Sequence, residues 1–502
     1  MGNLTVKSAR ELRSMIAAKT VSPVEVFDAF IKRIEQVNPA VNAIIALNAE
    51  RGREEARMAE TMVMSGAPLG LLHGLPVGIN DLHSTAGLRT TFGSLLHKDN
   101  VPETDELNVS RIRKAGGIVI GKTNTPEFGA GANTVNRVFG ATVNPFDTNL
   151  SASGSSGGSA AALATDMVPL STGGDLGGSL RTPASFCGVV GHRPSPGTCP
   201  SNRAADGWSP LAVEGAMARD VGDTALLLAA LVGRTPLDPI ARDLSPAPFI
   251  SLPSARLDRL RVAFSADLGS IPIAEDVRRH FRRTADRIAP LFARTIWRDP
   301  DCGDVDSTFE ALRAVGYANS YGDYVRRNKD IASPNIVANV ELVGTLTVSD
   351  VGRAHVAQTN LFRRFQKFFE DVDLLICPAA SVTPFPVDEV YVKEVGGVGM
   401  ASYIRWIAIN YAITLSTHPT TVIPAGRGPT GMPFGLQVVG RHLDDVGTLA
   451  IAAAIEAEFA NDPILARPRP DIGKLSTPGL ETRAGKISAE WMGAVNGTTS
   501  EP

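Results

Sequence analysis

Several features that would point to a membrane, a nucleic acid or a secreted protein are missing from this sequence. The most apolar helix-like stretch, "TALLLAALVG" at 224–233, is too short to cross a bilayer. The formal net charge of the 502-residue chain is −3, and no block of basic residues occurs in it. We therefore expect neither a nucleic acid nor an anionic membrane surface as a partner.

The chain also has few cysteines and no pattern of metal ligands. Its four cysteines form no C-x-x-C pair and no metal-like spacing with histidine. In a chain of this length they predict reduced, buried thiols rather than disulfides or a metal site. Residues 1–7 lead into an amphipathic helix rather than an apolar secretory run, so we expect a cytoplasmic protein.

No internal repeat and no flexible linker divides the chain, although its length alone would suggest about three domains. Hydrophobic residues make up 43% and charged residues 20%, as in ordinary globular proteins. We predict one domain over 1–466. The polar segment 467–502, which contains proline and glycine, is predicted to be an extended or disordered tail.

The hydrophobic pattern predicts an α/β fold. Residues 8–65 read as three helices, because Ser8 and Ser22 are capping residues in front of apolar stripes. From 70 to 200, β-branched runs alternate with loops rich in Gly, Ser and Thr, which is typical of a largely parallel sheet with functional loops at its strand ends. Further strands are predicted at 260–267 and 373–379, a hairpin at 420–442, and helices at 220–233, 273–296, 303–370 and 444–459.

The strongest local signal is "SASGSSGGSAAALATDMVPLSTGGDLGGSLRTPASFCG", residues 151–188. Two loops rich in Gly and Ser flank an apolar stretch that reads as a helix followed by a strand. Glycines permit loops whose backbone amides converge on one point. Hydroxyl groups beside such amides favour acyl chemistry, in which a serine attacks and N–H groups hold the oxyanion.

Three other interpretations of this block are disfavoured. A flexible linker would not contain an apolar helix-strand unit. A phosphate-binding loop of the form G-x-x-x-x-G-K-[ST] is absent, because no lysine follows these glycines. The G-x-S-x-G elbow of the common hydrolase fold is absent as well.

The block resembles the signature of the amidase signature family, GGSSGGSAAA…GTDxGGSIRxPASFCG. "GKTNTPEFG" at 121–129 and "PFGLQVVGR" at 433–441 resemble further family blocks, and the resemblance covers roughly 5–460. It implies a single compact α/β/α body with a large mixed, mostly parallel sheet flanked by helices. It also implies amide hydrolysis through a Ser–cis-Ser–Lys triad without a cofactor or a metal.

The resemblance assigns roles to individual residues. Ser179 matches the nucleophile and Ser155 the bridging serine, whose peptide bond is cis in the family. Asp175 and Arg181 match a supporting ion pair that holds the fold. The amides of the oxyanion hole are matched by Leu176, Gly177, Gly178 and Ser179, a further supporting position by Ser156, and the loop at the substrate by Gly129, Ala130 and Gly131.

The family pattern G-[IL]-P-x-x-[IV]-K-D places its catalytic lysine where this chain has Asn80, in "GLPVGINDLHSTAG". The family lysine is thought to act in its neutral form and to take the proton of Ser179 through Ser155. An asparagine amide cannot accept that proton at neutral pH. We therefore predict a strongly impaired amidase.

Three functional hypotheses follow. The favoured one is an amidase inactivated by substitution, natural or deliberate, that acts on a neutral carboxamide, anilide or carbamate. The others are a pseudoenzyme that binds an amide without turnover, and an amidotransferase subunit that works with partners. A small-molecule amide is the expected ligand, and a homodimer stays an open alternative.

Histidines and aromatic residues outside the triad are interpreted mainly as structural. His73 and His83 lie near the Asn80 stretch, but the family triad uses no histidine. His418 is considered as a lining residue of the pocket. Aromatic side chains that could border the path to Ser179, although most are predicted to be core or interface, are Tyr317, Tyr321, Tyr324, Tyr403 and Trp406.

Overall fold

The structure is a computed structural model that describes residues 3–203 and 205–487. Its helices are α1 Ala9–Ala17, α2 Pro23–Val41, α3 Ala49–Ser65, α4 Leu107–Lys114, α5 Gly157–Ala164, α6 Arg181–Cys187, α7 Val221–Leu231, α8 Ala247–Ile250, α9 Glu275–Ile288, α10 Val305–Asn328, α11 Pro334–Glu341, α12 Val348–Asp371, α13 Ala408–Ser416, α14 Asp445–Ala460 and α15 Ile472–Leu475.

The strands form one large sheet and three small ribbons. Those of the large sheet are β1 Ile44–Leu47, β2 Pro76–Asn80, β3 Ile118–Thr123, β8 Leu170–Asp175, β9 Val190–Arg193, β10 Val213–Ala218, β11 Arg261–Phe264, β12 Arg294–Trp297, β13 Leu374–Pro378, β16 Thr420–Arg427 and β17 Pro433–Val439. The ribbons pair β4 Val135–Asn136 with β5 Gly140–Ala141, β6 Val143–Asn144 with β7 Asp147–Ser151, and β14 Glu394–Val395 with β15 Val398–Gly399.

The large sheet has eleven strands in the order β1-β3-β2-β8-β10-β9-β16-β17-β13-β11-β12. The predicted α/β class and the mixed sheet flanked by helices are confirmed. The prediction that the sheet is mostly parallel is wrong, because six of the ten neighbouring pairs are antiparallel. The centre of the sheet is antiparallel since β8, β10 and β9 and the hairpin β16–β17 occupy it, while parallel pairs lie nearer the two ends.

Most predicted helices begin and end where their sequence signals indicate. Ser8 and Ser22 each form a capping box, with Glu11 and Glu25 respectively, at the starts of α1 and α2. The helix predicted over 273–296 is too long, because α9 ends at Ile288 and β12 follows. Pro290 explains the difference, since proline cannot continue a helix.

Helices α5 and α6 are buried along their whole length against the sheet. The close approach to the sheet requires small residues in these helices. A Cβ on Gly158 would lie 2.3 Å from the backbone nitrogen of Asn124. A helix that is buried on all sides needs an apolar, small-residue surface, and "GGSAAALA" supplies it. The serine loop in front of α5 is therefore held against the sheet.

The chain after α14 continues along the surface of the molecule. Arg467 Nε donates to the carbonyl of Gly188 at 2.8 Å, and Gly485 N donates to the carbonyl of Ala141 at 2.9 Å. Of the predicted tail, residues 488–502 lie outside the described residues. Within the described ranges, no helix combines the length and the apolar composition needed to cross a membrane.

Candidate functional site

Two neighbouring parallel strands end at the candidate site. Val77 of β2 pairs with Leu170 of β8, so both strands deliver the residues that follow them to the same edge of the sheet. A cavity of about 370 Å³ opens there, and both Ser155 and Ser179 line it. Its volume is in the range of small-molecule sites in proteins.

The two serine loops are in direct contact. The peptide bond between Gly154 and Ser155 is cis. The backbone N–H of Ser156 donates to the carbonyl of Ser179 at 3.3 Å, which joins the loop before α5 to the loop before α6. A Cβ on Gly173 would come within 2.6 Å of Ser156 Oγ, so only glycine leaves room for this side chain.

The loop between β8 and α6 contributes Leu176 and Ser179 to the wall of the cavity. Gly178, at φ +122°, gives its N–H to Asp175 Oδ1 at 3.0 Å. The N–H groups of Leu176, Gly177 and Ser179 have no acceptor among the described residues. Three of the four amides expected at an oxyanion hole thus have no acceptor among the described residues, and two of them, those of Leu176 and Ser179, belong to residues that line the cavity.

A buried charge network holds this loop. Arg181 donates to both carboxylate oxygens of Asp175, at 2.9 and 3.0 Å, and Arg193 lies 3.2 Å from the same carboxylate. Burial alone would raise the pKa of Asp175, but the two guanidinium groups lower it below its ordinary value. Arg181 also bonds Thr414 Oγ1 and Gln437 Oε1, so its contacts are with the fold.

Asn80, at the end of β2, is buried and only partly hydrogen-bonded. Its backbone N–H donates to Thr172 Oγ1 at 3.0 Å, and its Oδ1 accepts from the N–H of Leu82 at 3.0 Å. The contact with Leu82 determines the orientation of the amide. Asn80 Nδ2 is left without a hydrogen-bond partner among the described residues. Leu82 lines the cavity, whereas Asn80 does not.

A buried lysine does occur one strand away from Asn80. Lys122 of β3 pairs with Ile79, and its Nζ donates to the carbonyl of His83 and to Thr85 Oγ1. Burial lowers the pKa of Lys122 to about 8, against the opposing effect of Asp81, whose Oδ1 is 3.9 Å away. Lys122 does not line the cavity, and its contacts lie in the turn after β2.

The loop predicted to border the substrate is divided between two clefts. Gly129, at φ +74°, lines the cavity, and a Cβ placed on it would lie 3.6 Å from Ser155 Oγ. Ala130 borders a separate cleft with Asn335, and Gly131 lines neither. Of the three loop residues, Gly129 is the one that the structure brings to the serines.

A histidine between two carboxylates lies behind one wall of the cavity, a cluster that no sequence motif indicated. His83 Nδ1 is 3.1 Å from Glu106 Oε1, and His83 Nε2 is 3.4 Å from Glu214 Oε2. Ligand-type atoms of the three residues lie within 4.8 Å of one another, which is compatible with a metal ion. Arg203 already supplies a positive charge there, 2.7 Å from Glu214 and 3.7 Å from Glu106. We assign no cofactor to this cluster.

The structure places some of the remaining histidines and tyrosines at the cavity and others away from it. His418 is buried against Phe365 and Phe369 and does not line the cavity, so the pocket role considered for it is wrong. His73 is buried and contacts the carbonyl of Ala59. Tyr317 and Tyr321 line the cavity. Arg313, which no sequence motif singled out, lines it as well.

Comparison with known proteins agrees with this geometry. A family model described as Amidase matches residues 25–449. An acylamidase of Rhodococcus erythropolis is 32% identical over 91% of this chain and 96% of its own length. A glutamyl-tRNA(Gln) amidotransferase subunit of Acidothermus cellulolyticus is 32% identical over 91% of this chain and 95% of its own.

Solved structures show the same architecture. A bacterial aryl acylamidase of the amidase signature enzymes superposes with a TM-score of 0.84 at 26% identity, over 90% of this chain and 96% of the other. The family match, the relatives above 30% identity and the shared fold agree. The chain therefore belongs to the amidase signature family of amide-cleaving enzymes.

Proposed function

We propose that this chain is a serine amidohydrolase whose turnover is strongly impaired by Asn80. The observation that carries the proposal is the meeting of Ser155 and Ser179 on the wall of one cavity, beside three amides without acceptors among the described residues. Ser179 Oγ attacks the carbonyl carbon, the amides hold the oxyanion, and the C–N bond breaks. Ammonia or an amine leaves, and water then releases the acid from Ser179.

The impairment follows from the missing proton acceptor. In the proposed reaction the proton of Ser179 passes through Ser155 to a base, and the end of β2 presents an amide in its place. Asn80 Oδ1 is occupied by the N–H of Leu82, and its Nδ2 can only donate. A positioned general base contributes about 10²–10⁴-fold to rate, so slow residual hydrolysis with intact substrate binding is expected.

The test is the Asn80→Lys variant. Its lysine would replace an amide whose Nδ2 has no partner to lose among the described residues. We expect amide hydrolysis to rise by about 10²–10⁴-fold or more on a panel of carboxamides, anilides and carbamates. Release of ammonia or amine is measured for both proteins at several pH values.

Two controls make the result specific. Asn80→Met matches the length of the new side chain without a base and should stay as slow as the parent protein. Ser179→Ala in the Asn80→Lys background should abolish the gain. An Asn80→Lys protein that is folded and as inert as the parent on the whole panel would contradict the inactivated-enzyme proposal and favour a pseudoenzyme.

The relatives named as amidotransferase subunits support a second candidate, in which this chain acts together with partner proteins. The formal charge of −3 without a basic block disfavours direct tRNA contact. Copurification from the native host distinguishes the two: partner proteins retained through gel filtration would favour the amidotransferase role. A chain that runs alone or as a homodimer would favour the amidase.

A further inference from the structure

Arg313, on α10, is a buried cation in the wall of the cavity that contains Ser155 and Ser179. Only 6% of the residue is exposed, and an arginine side chain stays protonated in proteins. No carboxylate of the described residues lies within 4.0 Å of its guanidinium. Glu310, the acidic residue that interacts with it through space, makes no ion pair with it. A buried charge of this kind normally has a counter-ion.

The surroundings of Arg313 hold the cation without neutralising it. Its guanidinium lies 4.4 Å from the ring centre of Tyr317 and 5.2 Å from that of Tyr403. Aromatic faces attract a cation through their quadrupole, but they carry no net charge. Arg313 also donates through Nη2 to the hydroxyl of Tyr403. Its Nη1 has no hydrogen-bond partner among the described residues.

The hydroxyl of Tyr403 adds a second donor without an acceptor. Besides Arg313, Asn339 Nδ2 donates to it at 2.7 Å. Asn339 must present its nitrogen there, because the same Nδ2 donates to the carbonyl of Asn335 at 2.5 Å. A phenol oxygen that accepts two hydrogen bonds keeps its own O–H for donation. Arg313 Nη1 and Tyr403 O–H are thus two buried donors that lack an acceptor among the described residues, and of the two residues it is Arg313 that lines the cavity.

The other charged groups of the cavity wall differ from Arg313. Arg203 is neutralised by Glu214, and Asp175 by two arginines. Burial lowers the pKa of His97, against the effect of Glu127, so this ring is neutral at pH 7. Asp206 is an acidic lining residue whose Oδ1 accepts from the N–H of Trp208, and no cation of the described residues pairs with it. Among the described lining residues, Arg313 is the cation without an anionic partner.

We propose that Arg313 binds a carboxylate of the substrate, so that the substrate is an amide that also carries a negatively charged carboxyl group. The proposal rests on the proposed function for the reaction and adds the substrate class. A carboxylate supplies the missing charge, and its oxygens accept hydrogen bonds from a guanidinium in a matching planar geometry. We therefore expect an anionic amide as the substrate, instead of the neutral amide predicted from the sequence.

The test compares ligands that differ by one carboxylate. Dissociation constants are measured by calorimetry at pH 7 for 4-acetamidobenzoate against acetanilide, and for 6-acetamidohexanoate against N-hexylacetamide. The two pairs place the carboxylate at different distances from the amide. We expect the carboxylate member of at least one pair to bind at least about 10-fold more tightly, as a charge-assisted hydrogen bond to a buried group would give.

Variants at the same position decide the cause. Arg313→Met should remove the preference, so that the carboxylate and the neutral member of each pair bind within a few-fold of each other, and circular dichroism reports whether the variant is folded. Arg313→Lys keeps the charge and should retain part of the preference. If Arg313→Met does not fold, Tyr403→Phe removes the hydroxyl that positions the Arg313 guanidinium and should reduce the preference several-fold.

The proposal is overturned if neither pair binds, if the neutral members bind as tightly as the carboxylates, or if the preference survives in Arg313→Met. These outcomes are measured as binding and do not depend on turnover. A failure of Asn80→Lys to hydrolyse amides would count against the proposed reaction and leave the comparison of dissociation constants intact.

Discussion

The loop after β8 and the turn after β2 lie at the ends of neighbouring parallel strands, yet they differ in how completely their buried polar side chains are hydrogen-bonded. In the loop, both carboxylate oxygens of Asp175 and every described nitrogen of Arg181 have partners. In the turn, three buried polar atoms make no hydrogen bond among the described residues: Asn80 Nδ2, Asp81 Oδ1, which is 3.9 Å from Lys122 Nζ, and His83 Nε2, which is 3.4 Å from Glu214 Oε2. Buried polar groups are normally satisfied, so orphaned ones need a specific explanation.

In the proposed reaction, the difference separates the part of the site that the buried charge network holds from the part that would supply the base. The β8 loop places Ser179 and its amides through a network that the fold requires. The proposed reaction needs one basic group at the β2 turn, where Asn80 Nδ2 makes no hydrogen bond among the described residues. Under that proposal, an asparagine at this position removes the base while the contacts between Arg181 and Asp175 in the β8 loop are kept.

The largest effect on the free energy of unfolding is expected from the charge network of the β8 loop. Arg181→Met leaves the Asp175 carboxylate buried with Arg193 alone and should lower the free energy of unfolding by about 3–5 kcal/mol, as breaking a buried ion pair does. Denaturant unfolding at pH 7 measures it. Arg256, whose pair with Asp258 is exposed, is the matched control, and Arg256→Met should cost less than about 1 kcal/mol. Equal losses in the two variants would contradict a structural role for the β8 network.

The second-largest effect concerns Lys122, the buried lysine that contacts the turn after β2. Because burial holds the pKa of Lys122 near 8 instead of 10.5, the folded protein releases this proton at lower pH than the unfolded chain does. The stabilisation is therefore complete above pH 10.5 and is lost as the pH falls through 8. Between these values the free energy of unfolding should rise by about 3 kcal/mol, since one pKa unit corresponds to about 1.4 kcal/mol.

Lys122→Met isolates that contribution from other groups that titrate in alkali. Over this pH range, the free energy of unfolding of the parent protein should rise relative to that of the variant by the contribution of Lys122. Lys367, which is exposed, serves as the control, and Lys367→Met should keep the rise of the parent. A Lys122→Met stability curve parallel to that of the parent protein would show that the pKa of Lys122 is not lowered in the folded protein.

The smallest effect tests the bond between the two regions. Thr172 of β8 accepts from the backbone N–H of Asn80, so Thr172→Val leaves that buried donor unpaired. We expect a loss of about 1–3 kcal/mol in the free energy of unfolding, the usual cost of an unsatisfied buried group. Thr172→Ser keeps the hydroxyl and should retain most of the stability. If valine and serine have the same effect, the bond to Asn80 does not contribute.

Local signals account for what could be predicted from the sequence. Helix caps at Ser8 and Ser22, the apolar run of β2 and the Gly/Ser loops depend on residues close in the chain, and the structure contains them. The end of α9 was misplaced although Pro290 marks it. The balance of parallel and antiparallel pairs was misjudged because strand order depends on which segments meet, and strand composition does not encode that.

The clusters that no local signal revealed join distant segments. His83, Glu106 and Glu214 come from three separate parts of the chain, as do Arg313, Asn339 and Tyr403. Each of these residues is ordinary in its own sequence context. What makes them informative is their burial and the neighbours they meet, and both are known only from the tertiary structure.

The sequence by itself determined the family and the fold class. Those properties reside in motifs of consecutive residues, whose chemistry is the same wherever the fold places them. Tertiary structure alone decided which amides remain free beside Ser179 and which cation in the cavity lacks a counter-ion. Hydrogen bonds and charges are satisfied by neighbours in space, and those neighbours are drawn from the whole chain.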